Sequence, residues 1–255
     1  MGILQDKRIV VTGVLTDASL AFGVAQIAQR EGAHIVLTGA GRGLSLTERT
    51  ARKLDVVPDV VEFDVTVPEH VTSARDAVAA SLGRVDGVLH SIGFAPAACL
   101  GDNMLDVVWD DVATAMHISA YSLKTLVDAF APLMPDGGSI VGLDFDNTVA
   151  WPAYNWMGVA KSALESLNRY LARELGPRRI RCNLVAAGPI RTMAAKSIPS
   201  FAKFEDIWDP RAPLGWDIHD SEPVAKACVA LLSDWFPATT GEIVHVDGGY
   251  HAVGA

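Results

Sequence analysis

Short runs of apolar, often β-branched residues alternate along almost the whole chain with stretches whose apolar positions recur every three to four residues. The runs Arg8 to Thr12, His34 to Thr38, Val60 to Phe63, Gly87 to Ser91, Ser139 to Leu143, Arg181 to Ala186 and Glu242 to Val246 read as strands. Most are apolar at successive positions, as strands buried on both faces of a parallel sheet require. Helical periodicity covers about Ser19 to Glu31, Leu44 to Leu54, Pro68 to Leu82, Asp106 to Ala131, Trp156 to Leu175 and Glu222 to Ser233. Seven strands joined by helical crossovers predict one α/β domain over residues 1–255, a doubly wound parallel sheet of the Rossmann type. Gly32 and Gly176 stand where helix C-caps belong, and Pro177 reinforces the second stop. Residues 188–220 show no clear period and carry Pro189, Pro199, Pro210 and Pro213. Long unpatterned segments in compact domains are usually functional, so this one is the candidate substrate loop.

Composition narrows the class. With 255 residues, half of them hydrophobic, the chain can bury one large core, and its net charge of -9 argues against a nucleic-acid partner. Cys99, Cys182 and Cys228 are an odd number without close pairing, which fits reduced thiols in a cytoplasmic protein. The seven histidines lack metal-site spacing, so no metal is expected. The N-terminus has no long apolar region, and no apolar stretch approaches the ~20 residues that span a bilayer, so no membrane partner is expected.

Candidate ligand residues cluster where strands end. Strand one runs into Thr12-Gly13-Val14-Leu15-Thr16-Asp17-Ala18-Ser19-Leu20-Ala21 and then a helix. A dinucleotide fingerprint uses three glycines here; Gly13 supplies the first, with Ser19 and Ala21 as small substitutes. Ser19 is either a plain N-cap or a cap that also offers its hydroxyl to a phosphate. After strand two, Thr38-Gly39-Ala40-Gly41-Arg42 lacks the acid that grips a ribose diol; Arg42 either meets a 2′-phosphate or is solvated, leaving NAD and NADP both open. Asp64 and Val65 follow strand three, where Asp64 either accepts from an adenine amino group with Val65 against the ring, or caps the next turn. His90-Ser91-Ile92-Gly93-Phe94-Ala95 ends strand four, with Gly93 letting the backbone pass close over a ribose.

Tyr154 and Lys161 have six residues between them, two turns apart at about 3.6 residues per turn, so both project from one helix face. None of the four tyrosines has a lysine four residues on, the spacing ketone reductases of such folds use. A serine on strand five, common in those reductases, is also missing from Gly142-Leu143-Asp144-Phe145. Phe145, Trp156 and Met157 either line a pocket or are plain core.

These residues together resemble the enoyl-acyl-carrier-protein reductases of bacterial type II fatty acid synthesis, a divergent branch of the short-chain dehydrogenase/reductases, with the actinobacterial members most similar. The resemblance rests on Gly13 to Ala21, His90 to Ala95, Asp144-Phe145-Asp146, Tyr154 to Glu165, Ala187 to Thr192 and Val246 to Gly249, nearly the whole chain. It implies that Tyr154 is the catalytic tyrosine and Lys161 the cofactor-binding lysine. It implies NADH contacts at Gly13, Ser19, Leu20, Asp64, Val65, Ser91, Ile92, Gly93, Lys161, Ile190, Arg191, Thr192, Met193 and Ala194, and substrate contacts at Ala95, Phe145 and Tyr154. It also implies an enoyl thioester on acyl carrier protein or coenzyme A as substrate, and a homotetramer. Phe145 stands where many bacterial members have a second tyrosine, and Met193 to Trp208 lacks an insertion that lengthens the mycobacterial substrate loop, so a shorter acyl crevice is expected. Hydride delivery to the β-carbon of an enoyl thioester puts negative charge on the carbonyl oxygen, where a tyrosine hydroxyl is the fitting donor. A non-catalytic nucleotide sensor and an enoyl reductase of a specialised pathway are the competing expectations.

Overall fold

In the computed structural model of the protein, which describes residues 1–199 and 201–254, all seven expected strands lie in one parallel sheet. They are β1 (Arg8–Thr12), β2 (His34–Gly39), β3 (Val60–Glu62), β4 (Gly87–His90), β5 (Gly138–Asp144), β6 (Ile180–Ala187) and β7 (Ile243–Val246), in the order β3-β2-β1-β4-β5-β6-β7. Val10 of β1 pairs with Val36 on one side and Val88 on the other. The chain reverses its direction of growth between β1 and β4, and open parallel sheets bind ligands at the carboxyl ends of strands beside such a switch.

The unbroken apolar runs follow from two separate cores. Ile9, Val11 and Leu37 face one layer, which contains α1 (Leu20–Arg30) and α8 (Glu222–Leu232). Val10, Val36, Val88 and Ile140 face the other, packed by α3 (Pro68–Leu82), α5 (Ser122–Phe130) and α6 (Asn155–Leu175). Successive strand residues point to opposite faces, so each position needs an apolar side chain. No helix among the described residues is long and apolar enough to cross a membrane.

Three expectations are corrected, and a fourth, the Gly176 cap, holds with a different backbone geometry. The helix expected from Asp106 to Ala131 is broken into α4 (Trp109–Met116) and α5 by a π-turn at His117–Tyr121. A tertiary contact accompanies it: Ser119 Oγ donates to Phe94 O at 2.7 Å and accepts from Phe94 N at 2.9 Å, tying the turn to the segment after β4. The helix expected from Leu44 starts earlier, as α2 (Gly41–Ala51), so exposed Arg42 lies in its first turn and not in a free glycine-rich turn. Gly176 caps α6 but keeps right-handed angles; the chain runs on through a 3₁₀ turn at Gly176–Arg178, and Arg179, at φ 58°, makes the left-handed reversal. Finally, the unpatterned segment contains a helix, α7 (Phe201–Arg211), with Pro210 tolerated in its last turn. Position 200 of that segment, and position 255, lie outside the described residues.

Candidate active site

The carboxyl end of β5 and the entry to α6 are built around Tyr154. Tyr154 is not inside the helix, as its spacing to Lys161 had suggested; it is the N-cap, and α6 begins at Asn155. Its neighbours Ala153 (φ 62°) and Asn155 (φ 48°) both adopt left-handed angles, which cost an alanine ~1–2 kcal/mol. The surroundings hold this conformation: Asn155 Nδ2 donates to Gly101 O at 3.1 Å, Gly101 N donates to Ala153 O at 2.9 Å, and Trp156 Nε1 donates to Met104 O at 3.0 Å. Trp156 is thereby a strut for this loop. The phenol of Tyr154 is pressed edge-on against Phe145, ring centroids 5.1 Å apart.

Lys161 is 7% exposed and reaches the same strand end, where its Nζ donates to Leu143 O at 2.9 Å and lies 3.7 Å from Asp144 Oδ1. Tyrosine and lysine thus converge on the end of β5. Burial, and secondarily the negative charge of Asp144, raises the Tyr154 hydroxyl above its ordinary range, so it stays protonated. Burial lowers the Lys161 ammonium while Asp144 opposes that shift. On β4, burial and then the charge of Lys161 push His90 down to about 3, leaving a neutral ring 2.7 Å from Ser122 Oγ.

The ends of β1 and β4 make a second element of the site. Gly13 has φ +82°, and a Cβ there would lie 2.0 Å from Ser91 O, so the turn closes only around a glycine. Thr12 Oγ1 donates to Leu89 O at 3.0 Å and accepts from Ser91 N at 2.8 Å, locking these two strand ends together. Ser19 is the N-cap of α1, accepting from Phe22 N at 3.3 Å and donating to Thr16 O at 2.6 Å. Leu20, the first helical residue, packs half-buried on the core. Ile92 is likewise half-buried, Gly93 is exposed, and a Cβ on Gly93 would sit 3.5 Å from the Met157 methyl. Ala95 is half-buried beyond it.

The remaining candidates are placed differently. Asp64, next to edge strand β3, spends its carboxylate on Thr66 N at 2.9 Å and Thr66 Oγ1 at 2.6 Å, the turn-capping arrangement. Partial burial opposes its ionisation, yet the Thr66 hydrogen bonds hold its pKa below the ordinary value. Val65 is buried in the core. After β6, Ile190 is buried, Arg191 N donates to Ile218 O at 2.9 Å, and Thr192 Oγ1 accepts from Ala195 N at 3.1 Å. Met193 and Ala194 are exposed.

Sequence reasoning missed an aromatic cluster. Phe145, Trp151, Phe204, Trp208 and Tyr250 form a continuous set of ring contacts, closest between Trp208 and Tyr250, stacked at 4.0 Å. Trp208 Nε1 donates to Asp247 O at 2.9 Å and Trp151 Nε1 to Asp146 O at 2.6 Å. These rings come from three separate segments, so no local motif announces them. An open cleft of about 790 Å³ lies by Asp209, Trp216, His245 and His251, but neither Tyr154 nor Lys161 lines it.

A parallel sheet with a nucleotide-type turn after β1 and a buried Tyr–Lys pair after β5 defines a short-chain dehydrogenase/reductase. The sequence profile described as "Enoyl-(Acyl carrier protein) reductase" matches residues 13–251. The chain is 50% identical over 262 residues to the enoyl-[acyl-carrier-protein] reductase [NADH] of Mycolicibacterium smegmatis, covering 97% of both chains. It is 47% identical over 261 residues to the enzyme of the same name from Mycobacterium avium, again over 97% of both. An enoyl-[acyl-carrier-protein] reductase [NADPH] of Staphylococcus aureus is 36% identical over 259 residues, covering 98% of both. The chain belongs to the enoyl-(acyl carrier protein) reductase family.

Proposed function

We propose that this protein is an enoyl-acyl carrier protein reductase that uses NADH to reduce the 2,3-double bond of trans-2-enoyl thioesters. The observation that carries the reading is the buried, protonated Tyr154 converging with Lys161 on the end of β5. A bound nicotinamide supplies the hydride. The residues present fit a dinucleotide: the Gly13 turn, closed tightly against Ser91, brings the chain to the N-terminus of α1 at Ser19, which would take a phosphate, and Lys161 would hold a ribose. Ser91, Ile92 and Gly93 would border it, Asp64 at the end of edge strand β3 would mark its adenine end with Val65 packed in the core beneath, and Ile190 to Ala194 would line the nicotinamide half. The names of the mycobacterial relatives favour NADH; with Arg42 exposed in the first turn of α2, NADPH is assayed alongside.

Tyr154 donates its hydroxyl proton in a hydrogen bond to the thioester carbonyl oxygen as that oxygen becomes an enolate. Among the described residues this hydroxyl has no other hydrogen-bond partner, so the donor is free for substrate. A preorganised donor at an oxyanion contributes ~3–4 kcal/mol, roughly two to three decades in rate. Phe145 and Ala95 would flank the substrate, and the short run from Met193 to Trp208 would leave a shorter crevice for the acyl tail. The substrate is therefore a short or medium-chain enoyl group carried by acyl carrier protein, with 188–220 as its binding loop in a single domain. Exposed Leu105, Trp109 and Tyr121 around α4 and α5 supply an apolar face for assembly into a homotetramer, and the buried unpaired thiols fit a cytoplasmic setting.

The test is NADH oxidation with crotonyl, octenoyl and hexadecenoyl thioesters on carrier protein and on coenzyme A. Turnover that fades towards hexadecenoyl is expected, and Tyr154→Phe is expected to lose two to three decades in kcat (~3–4 kcal/mol) with NADH affinity retained. A Tyr154→Phe variant as active as the wild type, or no turnover at any length, would overturn the reading.

A further inference from the structure

Asp144 closes β5 with its side chain fully buried, and neither carboxylate oxygen makes a hydrogen bond among the described residues. A carboxyl group taken out of water without hydrogen bonds is costly, and such a group persists where a nearby charge or a function requires it. The cation within ion-pair reach is Lys161, whose Nζ lies 3.7 Å from Oδ1. That distance is too long for a hydrogen bond, so the carboxylate attracts the ammonium without occupying one of its donors. Of the three N–H donors of Lys161, one is taken by Leu143 O at 2.9 Å.

We propose that Asp144 is the positioning residue of this site: a buried acid that, when ionised, is the counter-charge of Lys161 in a dry pocket while leaving two of its N–H groups for the cofactor ribose. The inference rests on the proposed role of Lys161. The other groups facing Asp144 are consistent with it. Tyr154, at the entry to α6, is held protonated partly by this same negative charge. Glu165, on α6, accepts from Asn147 Nδ2, and its charge adds to the burial that pushes the Asp144 carboxyl up to about 7 against the pull of Lys161, which is why the counter-charge is felt on the alkaline side and not at weakly acid pH. His90, on β4, is neutral. His245, on β7, lies 3.8 Å from Asp146. One buried carboxylate thus favours the cationic form of the lysine and the neutral form of the tyrosine.

The sign of the effect is fixed. Removing the negative charge lowers the pKa of Lys161, so the ammonium is lost at a lower pH and NADH binding weakens on the alkaline side. NADH binding, followed by fluorescence from weakly acid to alkaline pH, is compared for wild type, Asp144→Asn and Asp144→Glu. Asp144→Asn should match wild type at weakly acid pH, lose about tenfold in affinity at alkaline pH, and show its basic limb displaced downward by about one pH unit. Asp144→Glu should restore the limb. Superimposable profiles, or an equal loss at every pH in both variants, would show a packing role and overturn the proposal. If Asp144→Asn does not fold, NMR titration of the Lys161 ε-carbon in the wild-type protein decides: a side chain already neutral at neutral pH overturns it. Because binding is read without an enoyl substrate, absent turnover would remove the reductase assignment and leave this result intact.

Discussion

The two ends of the site are made of different materials. At the nucleotide end, the geometry comes from the backbone: Gly13 closes against Ser91 O, Thr12 joins the ends of β1 and β4, and Ser119 clamps both polar groups of Phe94. At the acyl end, the geometry comes from large side chains, with Phe145, Trp151, Phe204, Trp208 and Tyr250 packed ring against ring from distant parts of the chain. A backbone-built site tolerates almost no variation in the few residues that permit its conformation. A side-chain-built site can be reshaped by changing ring volumes, which is how one family holds a common cofactor and varies its acyl group. Tyr154 stands at the junction, its backbone set by two left-handed neighbours and its ring by Phe145.

The comparison is broken most severely at Trp208, which is 1% exposed, stacks on Tyr250 and donates to Asp247 O. Trp208→Ala should cost ~3–5 kcal/mol of stability, read by thermal or denaturant unfolding. In the fraction that remains folded, NADH affinity should stay within about twofold, because the nucleotide end shares no partner with this ring. An NADH affinity that collapses together with stability would show that the two ends are one cooperative unit.

The converse change is Gly13→Ala. A left-handed alanine costs ~1–2 kcal/mol before any collision, and here the new methyl would also meet Ser91 O at 2.0 Å. The end of β4 must move, and NADH affinity should fall by more than about tenfold. The ring cluster should be untouched, so tryptophan near-UV circular dichroism should keep its wild-type form. A lost aromatic signal would contradict the separation of the two ends.

The same division decides what could be read from the sequence. All seven strands were legible because a doubly covered parallel strand writes itself as a continuous apolar run, and β1 matches at both ends. The Gly13 turn and the Ser19 cap were legible because each is a local requirement of one residue type. Helix α7 was not, since its apolar residues answer to rings elsewhere in the chain and Pro210 reads as a breaker although it lies inside the last turn of the helix. The π-turn was hidden for a similar reason: Ser119 looks like any helical serine until Phe94 is folded against it. The Tyr154–Lys161 convergence was correctly anticipated from a partly wrong premise. Helical spacing suggested it, whereas Tyr154 is delivered by the turn ahead of the helix. Asp144 carried no local signal, because what marks it is the absence of hydrogen bonds in the folded state.

The smallest effect sharpens the comparison within the nucleotide end itself. Ser19 has two separable duties, capping α1 through Phe22 N and presenting a hydroxyl where the helix dipole favours an anion. Ser19→Ala should remove about 1 kcal/mol of helix stabilisation whichever duty it performs. If capping is all it does, the unfolding midpoint falls and the NADH dissociation constant stays where it was. If the hydroxyl also contacts a phosphate, the dissociation constant rises by about fivefold as well, since 1.4 kcal/mol corresponds to a factor of about ten. Ser19→Gly separates the two further, because glycine at an N-cap costs only a few tenths of a kcal/mol yet has no hydroxyl to offer. A Gly variant with near-native stability and weakened NADH binding would assign the hydroxyl to the cofactor, and one with native binding would return Ser19 to the helix alone.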